Sequence, residues 1–169
     1  MGSGGTLSNG NLRATFTPYG AGARGTISHA STGKWYFEAK IIQSEGPYTP
    51  LVGICTTSTS LAIPFQNGIQ EVLWYGSGGQ VIYGANTRAP YGLTTFTTGD
   101  YIGVALNFTN NQLQFYRNGV AQGLLTLSAY SAGTTFYPMC CSPYGSAGSS
   151  IVDLTTTFQY PPPSGFSSW

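Results

Sequence analysis

The stretch from residue 98 to residue 119 constrains this chain most, because it reads as strands and turns in immediate succession. Ile102, Val104, Leu106 and Phe108 alternate with smaller or more polar residues, as a strand with one buried face requires. After the polar turn Thr109-Asn110-Asn111, Leu113 and Phe115 repeat the alternation between Gln112, Gln114 and Tyr116. Asn118-Gly119 tolerates the positive φ angles of a type I′ turn, so a further strand is expected directly after it. The result is an antiparallel meander whose strands carry no residue type suited to catalysis.

A chain of 169 residues fits one domain with a proper core. Its 24 glycines and 10 prolines favour many short strands over helices. No window sustains apolar spacing at three and four residues, so almost no helix is expected. Only 7% of the residues are charged, against roughly 25% in an ordinary soluble domain. The 14% of aromatic residues nonetheless supply enough burial to argue against disorder. A net charge of +1 permits close packing against partners or copies, a homo-oligomer included. Arg13, Arg24, Lys34, Lys40, Arg88 and Arg117 are dispersed, which argues against nucleic acid as a partner. No apolar run nears the roughly 18 residues of a membrane span, so no insertion is expected. Residues 1–5 show neither the basic start nor the apolar centre of a secretion signal, and read as a flexible leader, native or left by cloning.

Along the rest of the chain, residues 11–16 and 24–28 read as opening strands around a turn at 18–22. Residues 34–43 form a longer strand with Phe37, Ala39 and Ile41 on one face, Glu38 and Lys40 on the other. Strands are also expected at 51–56, 72–75, 80–83, 120–127, 135–142 and 151–154, with loops at 44–50, 57–70, 85–96 and 143–149. Three consecutive prolines make residues 158–169 an extended terminal strap, anchored by Phe158, Tyr160 and Phe166. One domain over residues 6–169 accounts for all of this.

Four motifs in order resemble the SPRY domain family. Gly33-Lys34-Trp35-Tyr36-Phe37-Glu38 is similar to its "Gly-x-Tyr-Trp/Phe-Glu" strand, and Val52-Gly53-Ile54 to its "Val-Gly-Ile" strand. Gly99-Asp100-Tyr101-Ile102-Gly103-Val104 with Phe115-Tyr116-Arg117-Asn118-Gly119 resembles its "Gly-Asp-x-Ile-Gly … Phe-x-Lys/Arg-Asn-Gly" signature. Phe136-Tyr137-Pro138-Met139 resembles its late "Phe/Tyr-Pro" strand. The resemblance implies an all-β, bent antiparallel β-sandwich of concanavalin-like jelly-roll architecture, used for binding rather than catalysis. The ending Phe158-Gln159-Tyr160-Pro161-Pro162-Pro163-Ser164-Gly165-Phe166 looks like endings that follow SPRY domains in bacteriophage proteins. It implies a virion protein assembled in the host cytoplasm.

Other chemistry is weakly supported. Gly20-Ala21-Gly22-Ala23-Arg24-Gly25 fits G-x-G-x-x-G, but the β-prone Thr26-Ile27-Ser28 follows where a helix N-terminus is needed, so no dinucleotide cofactor is expected. His29 is the single histidine and reads as a turn or surface residue. Glu38, Glu45, Glu71, Asp100 and Asp153 form no paired-carboxylate pattern, which leaves a glucanase-like hydrolase remote. Asp100 is expected to bind local backbone N–H groups, and Glu38 and Asp153 to balance Lys or Arg neighbours. Cys55, Cys140 and Cys141 lack metal spacing; Cys55 and Cys141 read as small buried strand residues. No metal site is expected.

Function therefore falls to the loops that a rigid sandwich presents. Tyr48, Ile63, Phe65, Tyr91 and Tyr144 lie in expected loops, where aromatic rings offer contact area at low entropic cost. By the resemblance, the loop with Leu61, Ile63, Phe65 and Gln66 and the loop with Pro143, Tyr144 and Gly145 contribute to a ligand surface, to which Arg88 is added. The reading is a non-catalytic interaction module of a phage particle, decorating a capsid or serving tail-fibre adhesion. It would contact another virion protein or a host-surface protein or glycan. The alternative is a lectin-like domain stacking loop rings on sugars.

Overall fold

Among the described residues, alternation in the sequence becomes fifteen strands, and no helix occurs. In chain order they are β1 (Gly5–Ser8), β2 (Arg13–Phe16), β3 (Ala21–Arg24), β4 (His29–Ala30), β5 (Lys34–Ser44), β6 (Leu51–Cys55), β7 (Glu71–Tyr75) and β8 (Gln80–Tyr83). They continue with β9 (Thr87–Pro90), β10 (Tyr101–Asn107), β11 (Gln112–Arg117), β12 (Val120–Thr126), β13 (Thr135–Ser142), β14 (Ser150–Leu154) and β15 (Ser167–Ser168). The structure is a computed structural model. It describes residues 1, 4–17, 21–45, 50–62, 71–75, 79–83, 87–90, 95–127, 130, 133–142 and 149–169, with backbone alone at 71–75, 83 and 87–90.

Two antiparallel sheets face each other. The first runs β1-β2-β14-β5-β10-β11-β12, with β15 lying parallel to β5. The second runs β3-β13-β6-β7-β8-β9, with β4 beside β13. Phe37, Ala39 and Ile41 of β5, Ile102, Val104 and Leu106 of β10, and Leu113 and Phe115 of β11 form one buried cluster with Val52, Ile54, Phe136 and Cys140 of the second sheet. This is the expected all-β sandwich, and the side chains that alternate in sequence meet between its layers. Asn118 and Gly119 have φ of 49° and 78°, so the β11–β12 turn has the positive pair that Asn-Gly favours.

Several elements differ from expectation. Gly5–Ser8 pairs with β2, and the Gly4 carbonyl accepts the N–H and hydroxyl of Thr17, so Gly4 and Gly5 are tied to the sheet. The strand expected at 24–28 is instead Ala21–Arg24, paired with Met139–Ser142. Pro138 explains where it stops. Its carbonyl accepts the Gly25 N–H, but it has no N–H to return, so pairing along that edge of β13 breaks between β3 and β4. The glycine motif thus opens a strand, not a helix. Residues 85–96, expected as a loop, contain β9, which pairs with β8. Pro90 ends that edge strand, where a missing N–H is tolerated.

Candidate binding surfaces

One row of paired residues defines a rim of the second sheet: Ala21 with Ser142, Cys141 with Leu51, Leu51 with Tyr75, Tyr75 with Gln80, and Gln80 with Pro90. β6 ends at the opposite rim, because Cys55 pairs with Tyr137. The segment after β6 nevertheless returns. Arg24 Nη1 donates to the Thr56 and Thr57 carbonyls at 3.1 and 2.9 Å, and its guanidinium lies 5.1 Å from the Tyr137 ring. The Gly22 N–H then donates to the Leu61 carbonyl at 2.7 Å. Gly22 pairs with Cys141 across its other edge, so the Leu61 backbone lies along the free edge of β3, one strand away from the end of β13 where the second expected loop begins. The Leu61 side chain packs on the outer face of the sheet, against a cluster of Leu51, Cys55, Ile82, Met139 and Cys141.

Of the expected ligand-surface residues, Leu61 is therefore partly buried beside this rim. Arg88 is in β9, opposite Ile82 in register. Tyr48, Ile63, Phe65, Gln66, Tyr91, Pro143, Tyr144 and Gly145 lie outside the described residues.

The described carboxylates belong to separate networks. Asp153 holds Arg13 in a bidentate cross-strand pair at 2.6 and 2.7 Å, and that hydrogen bonding raises the arginine pKa. Asp100 accepts the Thr97 N–H at 2.8 Å, as expected, and also binds Arg117 Nε at 3.0 Å and Asn118 Nδ2 at 2.7 Å. Glu45 binds Gln43 and Ser149. Glu38 departs from its expected cation: its carboxylate accepts the Gln159 and Tyr160 N–H groups at 2.9 and 3.1 Å and the Thr155 hydroxyl at 3.2 Å. A proline-rich strap makes no ladder of its own, so its N–H groups need an outside acceptor. That need was the sequence signal for Glu38.

The strap crosses the outer face of the first sheet. Phe158 sits edge-on to Tyr36 at 5.1 Å, Tyr160 to Tyr101 at 5.9 Å, and Lys34 Nζ lies 5.9 Å from the Phe166 ring. A Cβ on Gly119 would fall 2.8 Å from the Tyr160 ring, so glycine there admits the strap as well as the turn. Burial, with Glu38 nearby, pushes the Tyr36 phenol up. Trp169 returns the chain to β5: its backbone N–H donates to Tyr36 and its indole to the Ile27 carbonyl.

His29 differs from a plain surface residue. Its ring stacks on Trp35 at 3.4 Å and meets Trp169 edge-on at 5.2 Å, and desolvation there lowers its pKa. Cys55, Cys140 and Cys141 are buried thiols joined by no disulfide, and among the described residues no group of His, Cys, Asp or Glu is arranged to hold a metal ion.

A cleft of about 560 Å³ opens between the sheets at the other end of β3. Ala14, Phe37 and Cys140 line its depth, Leu7 and Ile27 its sides, and Trp169 an end of it. Sequence reasoning misses it, because it expects a leader over residues 1–5, no strand at 5–8, and a strand at 24–28 in place of 21–24.

The SPRY domain family model matches residues 34–155, from the start of β5 to just past β14. Ran-binding protein 9 of Xenopus tropicalis is 31% identical over 125 residues, 70% of this chain and 23% of that protein. The Ran-binding proteins 9/10 homolog of Drosophila melanogaster is 33% identical over 127 residues, 70% of this chain and 13% of that protein. The match thus spans a quarter or less of these relatives' length. The SPRY domain of human HERC1 superposes with a TM-score of 0.73 at 18% identity, covering 92% of this chain and 94% of that one. A second human SPRY domain gives 0.72 at 16%, covering 93% and 98%. These relatives are eukaryotic Ran-binding proteins, not virion components, which overturns the virion location implied by the strap and lends its phage-type source no support. With most of its length matched, the chain belongs to the SPRY domain family, whose members are protein-interaction modules.

Proposed function

We propose that this chain is a non-catalytic domain that recognises a protein partner at the rim holding Ala21, Leu51, Gln80, Pro90 and Ser142. The observation that carries the reading is the Gly22 N–H···O=C Leu61 bond, which brings the segment after β6 back to the free edge of β3, the strand beside the end of β13. Two segments far apart in sequence are thereby offered to one partner on a rigid scaffold. Tyr48, Leu61, Ile63, Phe65, Gln66, Arg88, Tyr91, Pro143, Tyr144 and Gly145 are the contact residues of this proposal. The near absence of charge favours a partner held by apolar and hydrogen-bonded contacts.

Site-specific photo-crosslinking tests it, with p-benzoylphenylalanine placed at Leu61, at Tyr144, or at Val120 on the far edge of the first sheet. Ran, which the relatives' names cite, is the first purified candidate, followed by cell extract. One protein captured from both rim positions and not from Val120 supports the proposal. Capture from Val120 alone, or from no position, overturns it.

A further inference from the structure

We propose that the cleft between the sheets is a second binding site, separate from the rim, for a small, neutral, apolar molecule. Its volume of about 560 Å³ lies within the roughly 300–1,000 Å³ of small-molecule pockets. It reaches the core directly, since Ala14, Phe37 and Cys140 belong to the buried cluster between the sheets. Its sides carry Leu7 and Ile27, which are 42% and 61% exposed, so apolar surface continues from the core to the mouth. A contiguous apolar surface that lines a groove and runs on into the core is the kind of exposed patch that marks ligand-binding grooves.

The lining sets the chemistry of the occupant. Its two charged residues, Arg24 and Glu38, have their charged ends committed elsewhere. The Arg24 guanidinium is held by the Thr56 and Thr57 carbonyls against Tyr137, a residue of the outer-face cluster, and the Glu38 carboxylate is held by the strap. Burial pushes the Cys140 thiol up to about 12, so the depth of the cleft stays neutral at physiological pH. A charged ligand would lose its hydration without gaining a counter-charge, whereas a neutral apolar one gains by leaving water.

Fluorescence titration with N-phenyl-1-naphthylamine, an uncharged probe, tests the site. The comparison probe is 8-anilino-1-naphthalenesulfonate, which has the same ring system with a sulfonate. The expected result is saturable binding of the uncharged probe at one site per chain, at least tenfold tighter than the sulfonate. Ile27→Asp at the mouth weakens it at least tenfold. Leu7→Asp, on another side of the cleft, does the same. Leu124→Asp makes the same change on β12, at a similarly exposed residue (57%) that is not among those lining the cleft, and leaves binding within twofold. Urea midpoints of the three variants confirm that each is folded. Non-saturable binding, tighter binding of the sulfonate, or equal losses at Ile27 and Leu124 overturns the proposal.

Discussion

Replacing Glu38 by glutamine should loosen the strap while leaving nearly every atom in place. Glu38 is 1% exposed, and its carboxylate serves three donors: Gln159 N–H and the Thr155 hydroxyl on Oε1, Tyr160 N–H on Oε2. An amide oxygen can keep the first two, but the amide nitrogen then meets the Tyr160 N–H, donor against donor. Flipping the amide strands the Gln159 N–H instead, while the Thr155 hydroxyl can donate to the Glu38 backbone carbonyl at 3.1 Å. One stranded backbone N–H costs about 1–3 kcal/mol, and the remaining bonds lose their charge assistance. Burying an amide costs less than burying a carboxylate, which offsets part of this. The expected net loss is about 2 kcal/mol, or a fall in Tm of about 4–8 °C for a domain of this size. Urea denaturation measures it, and amide exchange at Gln159 and Tyr160 should quicken. In a double-mutant cycle with Thr155→Val, the coupling should be about 1 kcal/mol. A change below about 0.5 kcal/mol, or a gain in stability, would refute the claim that this carboxylate holds the strap.

Three further outcomes follow from the packing. A Cβ at Gly103 would overlap the Tyr36 hydroxyl, so Gly103→Ala should cost about 1–3 kcal/mol by urea denaturation; wild-type stability would show that Tyr36 moves freely. Asn118→Gly keeps the positive φ but deletes the acceptor of the Tyr101 N–H and the donor to Asp100, and should cost about 1–2 kcal/mol. Asn118→Asp should cost more, since it sets a second carboxylate against Asp100; the reverse order contradicts the network. For His29 the folded-state pKa is lowered from 6.5 by desolvation, so the unfolded chain takes up the proton first as pH falls. The contribution is complete above about 6.5 and lost as pH descends through the folded pKa; His29→Gln should flatten the fall in urea midpoint between pH 7 and pH 5, and parallel curves would exclude it.

What the sequence disclosed was local. The alternation of Ile102, Val104 and Leu106 and the Asn118-Gly119 turn need only neighbouring residues to be read, and the meander pairs as they imply. The strap's aromatic anchors were also legible, because rings in a proline-rich terminus need somewhere to be buried. Distant partnerships were not. The donors to Glu38 lie more than a hundred residues away, so its strand alone suggested a cation. Thr87-Arg88-Ala89-Pro90 has the composition of a loop, and β8 supplies the register that makes it a strand. The ligand-surface resemblance named segments after β6 and β13, which leave the sheet at opposite ends. The segment after β6 returns along β3 through the backbone bond between Gly22 and Leu61, for which glycine-rich sequence gives no sign.

Hydrogen–deuterium exchange of the chain with and without its captured partner tests the recognition claim most directly. Slowed exchange in peptides covering residues 46–62, 91–95 and 143–149, with residues 112–126 unchanged, is the predicted result. Protection confined to β11 and β12, or spread evenly over both sheets, would contradict recognition at the rim.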